Sequence, residues 1–173
     1  MICATPPAIR GILAAMIGAR QLVLGASGIV REVARHLLRR PVVGVAAAAL
    51  TDDGRVLLIR RGDTGDWALP GGTLEWGETL ERGIRRELAE EAGVDDVSIG
   101  RLVGVYSLPE RDPRFHAVTV VVQATISGPR RPPSNPLEIR EVRLFGRHEL
   151  PDSLSHGMSA MLDDALAGTT RFE

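Results

Sequence analysis

The spacing of apolar positions changes several times along this chain, and each change marks an element. Residues 42–50 form an unbroken run of valine and small apolar residues, the pattern of a strand buried on both faces. Thr51-Asp52-Asp53-Gly54 interrupts it, and residues 55–61 resume as a second strand; the Asp-Gly pair predicts a hairpin between them. Residues 62–66 read as a loop, and 67–72 as a short strand broken by Pro70 and two glycines. From about 79 to 92 the period becomes helical, with Leu80, Ile84 and Leu88 on one stripe. Strands are expected again near 101–106, 116–126 and 139–145, with a Pro- and Arg-rich loop over 128–136. An amphipathic helix over 156–166 follows.

Upstream of the first strand, Ser27 suits the N-cap of a helix running to about Arg39, which Pro41 stops. Ile29, Val30, Val33, Ala34, Leu37 and Leu38 share one of its faces, so it either packs on its own domain or serves as a dimerisation helix. The expected division is therefore an N-terminal extension over 1–40, helical at 27–39, and a principal domain over 41–173. The apolar run 12–19 falls short of the roughly 20 residues a membrane span needs. Only Arg10 precedes it, so a signal peptide is not expected either.

Composition narrows the field. The chain has 173 residues with a formal net charge of -1, which gives no support to a broad nucleic-acid surface. All 21 basic residues are arginine. Aromatics make up 3%, so the core has to be built from aliphatic side chains. Cys3 is the single cysteine, which excludes an intrachain disulfide and fits a reducing cytoplasm.

The chemistry concentrates between Gly72 and Val94. Glu87, Glu90 and Glu91 stand at i, i+3 and i+4, so a helix gathers them on one side. On a helical wheel with Glu87 at zero, Glu91 lies at about 40° and the apolar stripe near 60°, so the acids border the buried face. Arg82, Arg85 and Arg86 are expected on the outer face, leaving nothing basic beside the carboxylates. Clustered carboxylates repel one another unless a cation neutralises them, and Mg²⁺ and Mn²⁺ prefer such oxygen donors. Gly93 suits a left-handed C-terminal cap, and Gly71-Gly72 would let the backbone pass close to a metal. Arg86 and Glu78 are expected to pair, either as a brace or, for Glu78, with a direct catalytic role.

This segment resembles the Nudix box, whose pattern is Gly, five residues, Glu, seven residues, then Arg-Glu-aliphatic-any-Glu-Glu-any-Gly-aliphatic. Gly72, Glu78, Arg86, Glu87, Leu88, Glu90, Glu91, Gly93 and Val94 fill every fixed position. The resemblance implies an α/β (α+β) fold: an αβα sandwich around a mixed sheet, with the box as a loop–helix–loop. It implies metal-dependent hydrolysis of a pyrophosphate bond, with Mg²⁺ (or Mn²⁺ as a substitute) held by Glu87, Glu90, Glu91 and a backbone carbonyl of Gly71 or Gly72. The implied catalytic set is Glu90, Glu91, Arg86, Glu78 and Glu138, the last as general base; Glu141, Glu110 and a box glutamate are its alternatives. A homodimer is implied as well.

Substrate choice is read from a second stretch. Ser107-Leu108-Pro109 and Asp112-Pro113-Arg114 are similar to the segment before the matching strand in ADP-ribose pyrophosphatases and nucleotide-sugar hydrolases of the family, although Leu108 stands where those relatives often carry Asp. Arg114 and Arg111 could fork onto phosphate or pair with nearby acids, and His116 could serve the site or simply begin a strand. Of Arg60 and Arg61, alternation sends one into the cleft, and Arg61 is the one expected there. Trp67 and Trp76 could stack on a base, with packing the stronger reading for Trp67. The substrate is thus expected to be a nucleoside diphosphate linked to a second group, ADP-ribose or a nucleotide sugar, with no nucleic-acid or membrane partner. The alternatives are a nucleoside triphosphate pyrophosphatase that removes oxidised nucleotides, and a catalytically silent nucleotide-binding regulator.

Overall fold

A computed structural model describes residues 40–173. The helix expected over 27–39 lies outside the described residues. Eight strands form one mixed sheet in the order β3-β2-β1-β6-β5-β8, with β4 added against β1 and β7 against β2. Their ranges are β1 Val42–Thr51, β2 Val56–Arg61, β3 Trp67–Ala68, β4 Gly71–Thr73, β5 Val97–Tyr106, β6 Ala117–Ile126, β7 Ile139–Phe145 and β8 Arg171–Phe172. Two α-helices accompany them, α1 Leu80–Ala92 and α2 Met158–Ala167.

β1 is the axis of this arrangement. It runs parallel to β6 in continuous register from Val42↔Ala117 to Thr51↔Ile126. Its side chains alternate between two cores. Val45, Ala47 and Ala49 join Ile84, Leu88 and Ala92 of α1. Ala46, Ala48 and Leu50 join Tyr106, Met161, Leu162 and Ala165 on the α2 side. The unbroken apolar run follows from this position, because a strand pressed between two layers has no face left for polar side chains. Burying Ile84 and Leu88 fully stabilises the docking of α1 by about 1.5–3 kcal/mol each.

Several elements depart from their expected limits. The broken strand over 67–72 is two strands with different partners: β3 pairs with β2, β4 pairs with β1, and Pro70 turns the chain between them. β5 begins at Val97, because Gly100-Arg101 sits in a stretch of shifted register between Ile99 and Leu102 instead of before the strand. The helix expected from 156 begins at Met158, since His156 and Gly157 both adopt left-handed backbone conformations. Leu80 is half exposed, because first-turn residues project past the sheet edge, so the buried stripe of α1 starts at Gly83. β8 had no signal at all, being two residues long on a parallel edge. Trp67 packs edge-to-face on Phe145, with centroids 4.8 Å apart, whereas Trp76 is fully exposed.

The end of α2 is locked by one carboxylate. Asp164 accepts from Tyr106 Oη (2.9 Å), Thr169 Oγ1 (2.9 Å), Arg171 Nε (2.6 Å) and Arg171 Nη2 (3.1 Å). The Arg171 guanidinium holds the acid well below the usual carboxylate range, with Thr169 and Tyr106 adding to the effect. A carboxylate whose folded value is depressed contributes stability above its unfolded value, near 4, and loses it as pH falls toward the folded one. Asp164→Asn is therefore expected to lower the melting temperature by several degrees at pH 7. The gap from wild type should close as the pH is lowered below about 4 in a thermal-denaturation series.

Candidate active site

Helix α1 is capped at both ends by its own sequence. Thr79 Oγ1 accepts from the Arg82 amide at 3.3 Å, and Gly93 closes the helix at φ 64° with its N–H bonded to the Leu88 carbonyl. Between the caps, Glu87 and Glu91 share the buried face with Ile84 and Leu88, and are only 8% and 6% exposed. Strand β4 lies directly against them. The Gly71 amide donates to Glu91 Oε2 at 2.8 Å. At Gly72 a β-carbon would stand 2.3 Å from Glu87 Oε1, so only glycine lets strand and carboxylate approach this closely.

Burial raises both acids. Glu91 is pushed up to about 8, chiefly by desolvation, with Glu87 and Glu138 adding repulsion and the Gly71 amide opposing. Glu87 is raised by desolvation too, against the pull of Arg86. Arg86 stands beside the carboxylates, contrary to the outer-face expectation: its Nη1 donates to Glu87 Oε1 (2.8 Å) and reaches Glu90 Oε2 (3.4 Å). Its Nε and Nη2 fork onto Glu78 at 3.0 Å each, as the expected brace, and Nη2 also donates to the Thr73 carbonyl at 3.1 Å. A long, flexible arginine at a helix position flanking the acids can curl back to neutralise them, which a wheel projection does not register. Glu90 is more exposed and turns toward Arg86. Among the described residues no three His, Cys, Asp or Glu side chains already converge as a closed metal set.

The donor chemistry nonetheless fits a hard divalent cation. Glu87 and Glu91 are adjacent buried carboxylates with mutual repulsion, and each is only partly compensated, by Arg86 and by one amide respectively. Glu90 lies one turn from Glu87 on the same helix and offers a further carboxylate of the same oxygen chemistry.

Loop contacts bring Glu138 to the same place. The Ser134 amide donates to the Glu90 carbonyl (2.7 Å), Arg130 N to the Gly93 carbonyl (2.9 Å), and Gly62 N to the Glu138 carbonyl (2.6 Å). Glu138 lines a cavity of about 330 Å³ together with Glu87, Glu91, Gly71, Gly72 and Arg61. It also lines a second cavity, of about 360 Å³, on the side of Arg86, Glu90 and Asn135. Glu141 instead pairs with Arg60 at 3.7 Å, and neither it nor Glu110 lines either cavity.

Arginines and apolar side chains line the same cleft as the acids. Arg61 enters the cleft while Arg60 turns to the Gly65 carbonyl and Glu141. Arg61 forks onto Asp63 at 2.9 Å, and Arg114 forks onto Asp112 at 2.9 and 2.7 Å while approaching Asp63 at 3.4 Å. Phe115, Met158 and Met161 supply apolar surface. His116 is not brought into this lining: its Nε2 meets the Ser107 carbonyl at 2.9 Å at the foot of β6. The histidine in the cleft is His156, which periodicity hid inside an expected helix. Its ring is mostly buried, Nδ1 lies 2.9 Å from Ser155 Oγ, and burial lowers its pKa, so it is neutral at pH 7. A Ser-His-Gly sequence just before the helical period was the available signal.

A family model described as the NUDIX domain matches residues 40–165. The chain belongs to the Nudix family. As a Nudix hydrolase it acts on phosphoric anhydride bonds, and members of the family generally use divalent metal ions. This Nudix chain is 36% identical over 119 residues to the ADP-ribose pyrophosphatase of Methanocaldococcus jannaschii, covering 67% of this chain and 68% of that protein. It is 52% identical over 64 residues to a MutT-like protein of Streptomyces ambofaciens, covering 37% of this chain and 41% of that protein. The crystal structure of an ADP-ribose pyrophosphatase from Streptococcus suis superposes with a TM-score of 0.63 at 26% identity, covering 78% of this chain and 100% of that one.

The close approach at Gly72 generates a test. Gly72→Ala forces the Glu87 carboxylate away without demanding a new backbone conformation, so the protein should fold with unchanged circular dichroism. Its turnover number should fall by about tenfold or more in steady-state assays.

Proposed function

We propose that this Nudix enzyme is a Mg²⁺-dependent pyrophosphohydrolase of nucleoside diphosphates linked to a sugar, ADP-ribose first among them. The observation that carries the reading is a single cleft lined by the buried carboxylates Glu87 and Glu91 together with Arg61, Arg114 and apolar Phe115, Met158 and Met161. A substrate with two phosphates at its centre and a neutral group on either side matches that combination of surfaces. The names of the Methanocaldococcus jannaschii relative and the Streptococcus suis structure point the same way.

In this reading Glu87, Glu90 and Glu91, with a carbonyl of Gly71 or Gly72, would hold the ion, for which Mn²⁺ would substitute. The bound ion supplies charge cancellation on the pyrophosphate and acidifies the attacking water. The chain's own residues do the rest. Arg86, braced by Glu78, fixes the Glu87 carboxylate through Nη1. Arg61 and Arg114 present guanidinium forks that orient phosphate oxygens, exchanging part of their pairing with Asp63 and Asp112 for the anion. Glu138 accepts the water's proton on its carboxylate, a role for which its place on both cavities qualifies it. The apolar far wall excludes competing water. Products are a nucleoside monophosphate and a sugar phosphate. A cytoplasmic homodimer belongs to the same reading; among the described residues no helix is long and apolar enough to cross a membrane. Light scattering counts the protomers.

The test is phosphate release, coupled to alkaline phosphatase, from ADP-ribose, UDP-glucose, GDP-mannose, ATP and oxidised dGTP, with and without EDTA. Turnover of the diphosphate conjugates that EDTA abolishes, with the triphosphates nearly inert, is the expected result. Preference for triphosphates would make the enzyme a nucleotide-sanitising pyrophosphatase instead. Glu91→Gln should keep the fold, since an amide oxygen still accepts from Gly71, while turnover drops by about two orders of magnitude or more.

A further inference from the structure

Arg111 ties together three segments that the sequence keeps far apart. Its Nε donates to Glu173 Oε2 at 3.1 Å, its Nη2 donates to Glu173 Oε1, and its Nη1 donates to the Gly157 carbonyl at 3.0 Å. The guanidinium also lies over the Tyr106 ring, 5.3 Å from its centroid. Both partners of the ion pair are largely buried, with side-chain exposures of 17% and 14%, so the pair is not a solvated surface contact.

Glu173 is itself seated with care. Its amide donates to the Val105 carbonyl at 3.0 Å, and its carbonyl accepts from Ser107 Oγ at 2.9 Å. Its carboxylate takes a further bond from the Ser107 amide at 3.3 Å. The seat is built into β5: a β-carbon on Gly104 would stand 2.4 Å from the Arg171 carbonyl oxygen, so glycine there is what lets β8 approach.

What Arg111 holds at its other end is the cleft. Asp112 follows it directly and carries the Arg114 fork. Gly157 follows His156, the only non-glycine residue with positive φ among those described. A left-handed conformation is disfavoured by a β-carbon, so neighbours must hold it in place. Arg111 packs close enough to Gly157 that a β-carbon there would meet its Nη1 at 2.7 Å. The His156 Nε2 thereby faces Asp112 Oδ2 at 3.9 Å inside the cleft.

We propose that Glu173 is a positioning residue for substrate binding: by clamping Arg111 it fixes both the Asp112–Arg114 wall and the His156 turn in the cleft that Glu87 and Glu91 also line. The inference rests on reading that cleft as the substrate site, but not on which nucleotide conjugate fills it. Glu173 lies outside the cleft lining and touches no substrate; it acts through Arg111. Its loss therefore loosens the binding walls and leaves the carboxylate end, on α1 and β4, intact.

The experiment is steady-state kinetics of full-length Glu173→Gln on the diphosphate conjugate that wild type hydrolyses fastest, with hydrogen exchange measured on both proteins. Gln keeps the size and loses the charge. KM should rise by about tenfold with kcat within about twofold, because binding contacts are lost without touching the reacting groups. Exchange should quicken over 107–115 and 155–158 and stay unchanged across α1 and β1. Arg111→Lys, which keeps the charge but cannot fork, should match it, and the double variant should be no worse than either single one. Ser107→Ala removes only the hydroxyl that holds the Glu173 carbonyl, and gives a smaller KM increase of the same kind even if Glu173→Gln folds poorly. An unmoved KM, or exchange quickened uniformly with kcat and KM both altered, overturns the positioning role while the substrate reading stands. An inert wild-type protein would instead refute the substrate reading, and the positioning role with it.

Discussion

The placement of two carboxylates on the buried face of one helix constrains most of this structure. Glu87 and Glu91 take positions that Ile84 and Leu88 would otherwise share with further apolar side chains, and they do so against a strand instead of solvent. Desolvation at such burial, with like charges adjacent, disfavours the ionised form and pushes both acids up. Each neighbouring feature answers it. Gly72 removes the β-carbon that would collide with Glu87, Gly71 turns its amide to Glu91, and Arg86 delivers one guanidinium hydrogen to Glu87 while anchored on Glu78. The alanines of β1 belong to the same solution, since β4 and α1 can approach only where the strand behind them is thin.

The arginines proposed to meet the phosphates are already matched. Arg61 and Arg114 are paired with Asp63 and Asp112 before any ligand arrives. Such pairing keeps the guanidinium planes fixed, so under the proposed function an incoming phosphate would meet oriented donors and would not have to order long side chains at its own entropic expense. It also lowers the gross attraction for anions, which tilts selection toward ligands that fit the apolar wall as well as the charged one. The two sets of charges are thus complementary in kind: under-compensated acid on α1, compensated base on β2 and on the loop before β6.

Much of this was legible from residue spacing. The gathering of Glu87, Glu90 and Glu91 on one helix, the Gly93 cap and the entry of one of Arg60 and Arg61 into the cleft follow from helical and strand periods, which are local rules, while the Arg86–Glu78 pair stands at box positions that the family resemblance supplied. What spacing could not supply were contacts set by tertiary reach. Arg86 curls across its own helix, β8 pairs on an edge with two residues, and His156 departs from the helical pattern because Arg111, forty-odd positions upstream, fixes the carbonyl after it. Of the two readings left open for His116, the structure places it beside the start of β6, with its ring on the Ser107 carbonyl and outside the cleft lining. The helix expected over 27–39 lies outside the described residues.

Buried acids in this fold fall into two kinds, and the difference identifies the functional one. Asp164 and Glu91 are almost equally shielded from solvent. Asp164 accepts hydrogen bonds from a phenol, a threonine and an arginine, and its carboxyl is held well below the usual carboxylate range. Glu91 receives one amide, faces two other carboxylates, and is pushed up. Burial alone therefore says little, since a fully paired acid is structural mortar between α2 and β8. An acid left short of partners costs stability that the fold does not recover, and natural sequences tolerate such violations where function requires them. The other local violation among the described residues, the left-handed His156, opens on the same cavity as Glu91. Two independent departures, one electrostatic and one conformational, meet in one cleft, and that convergence supports the proposed site without appeal to the box motif.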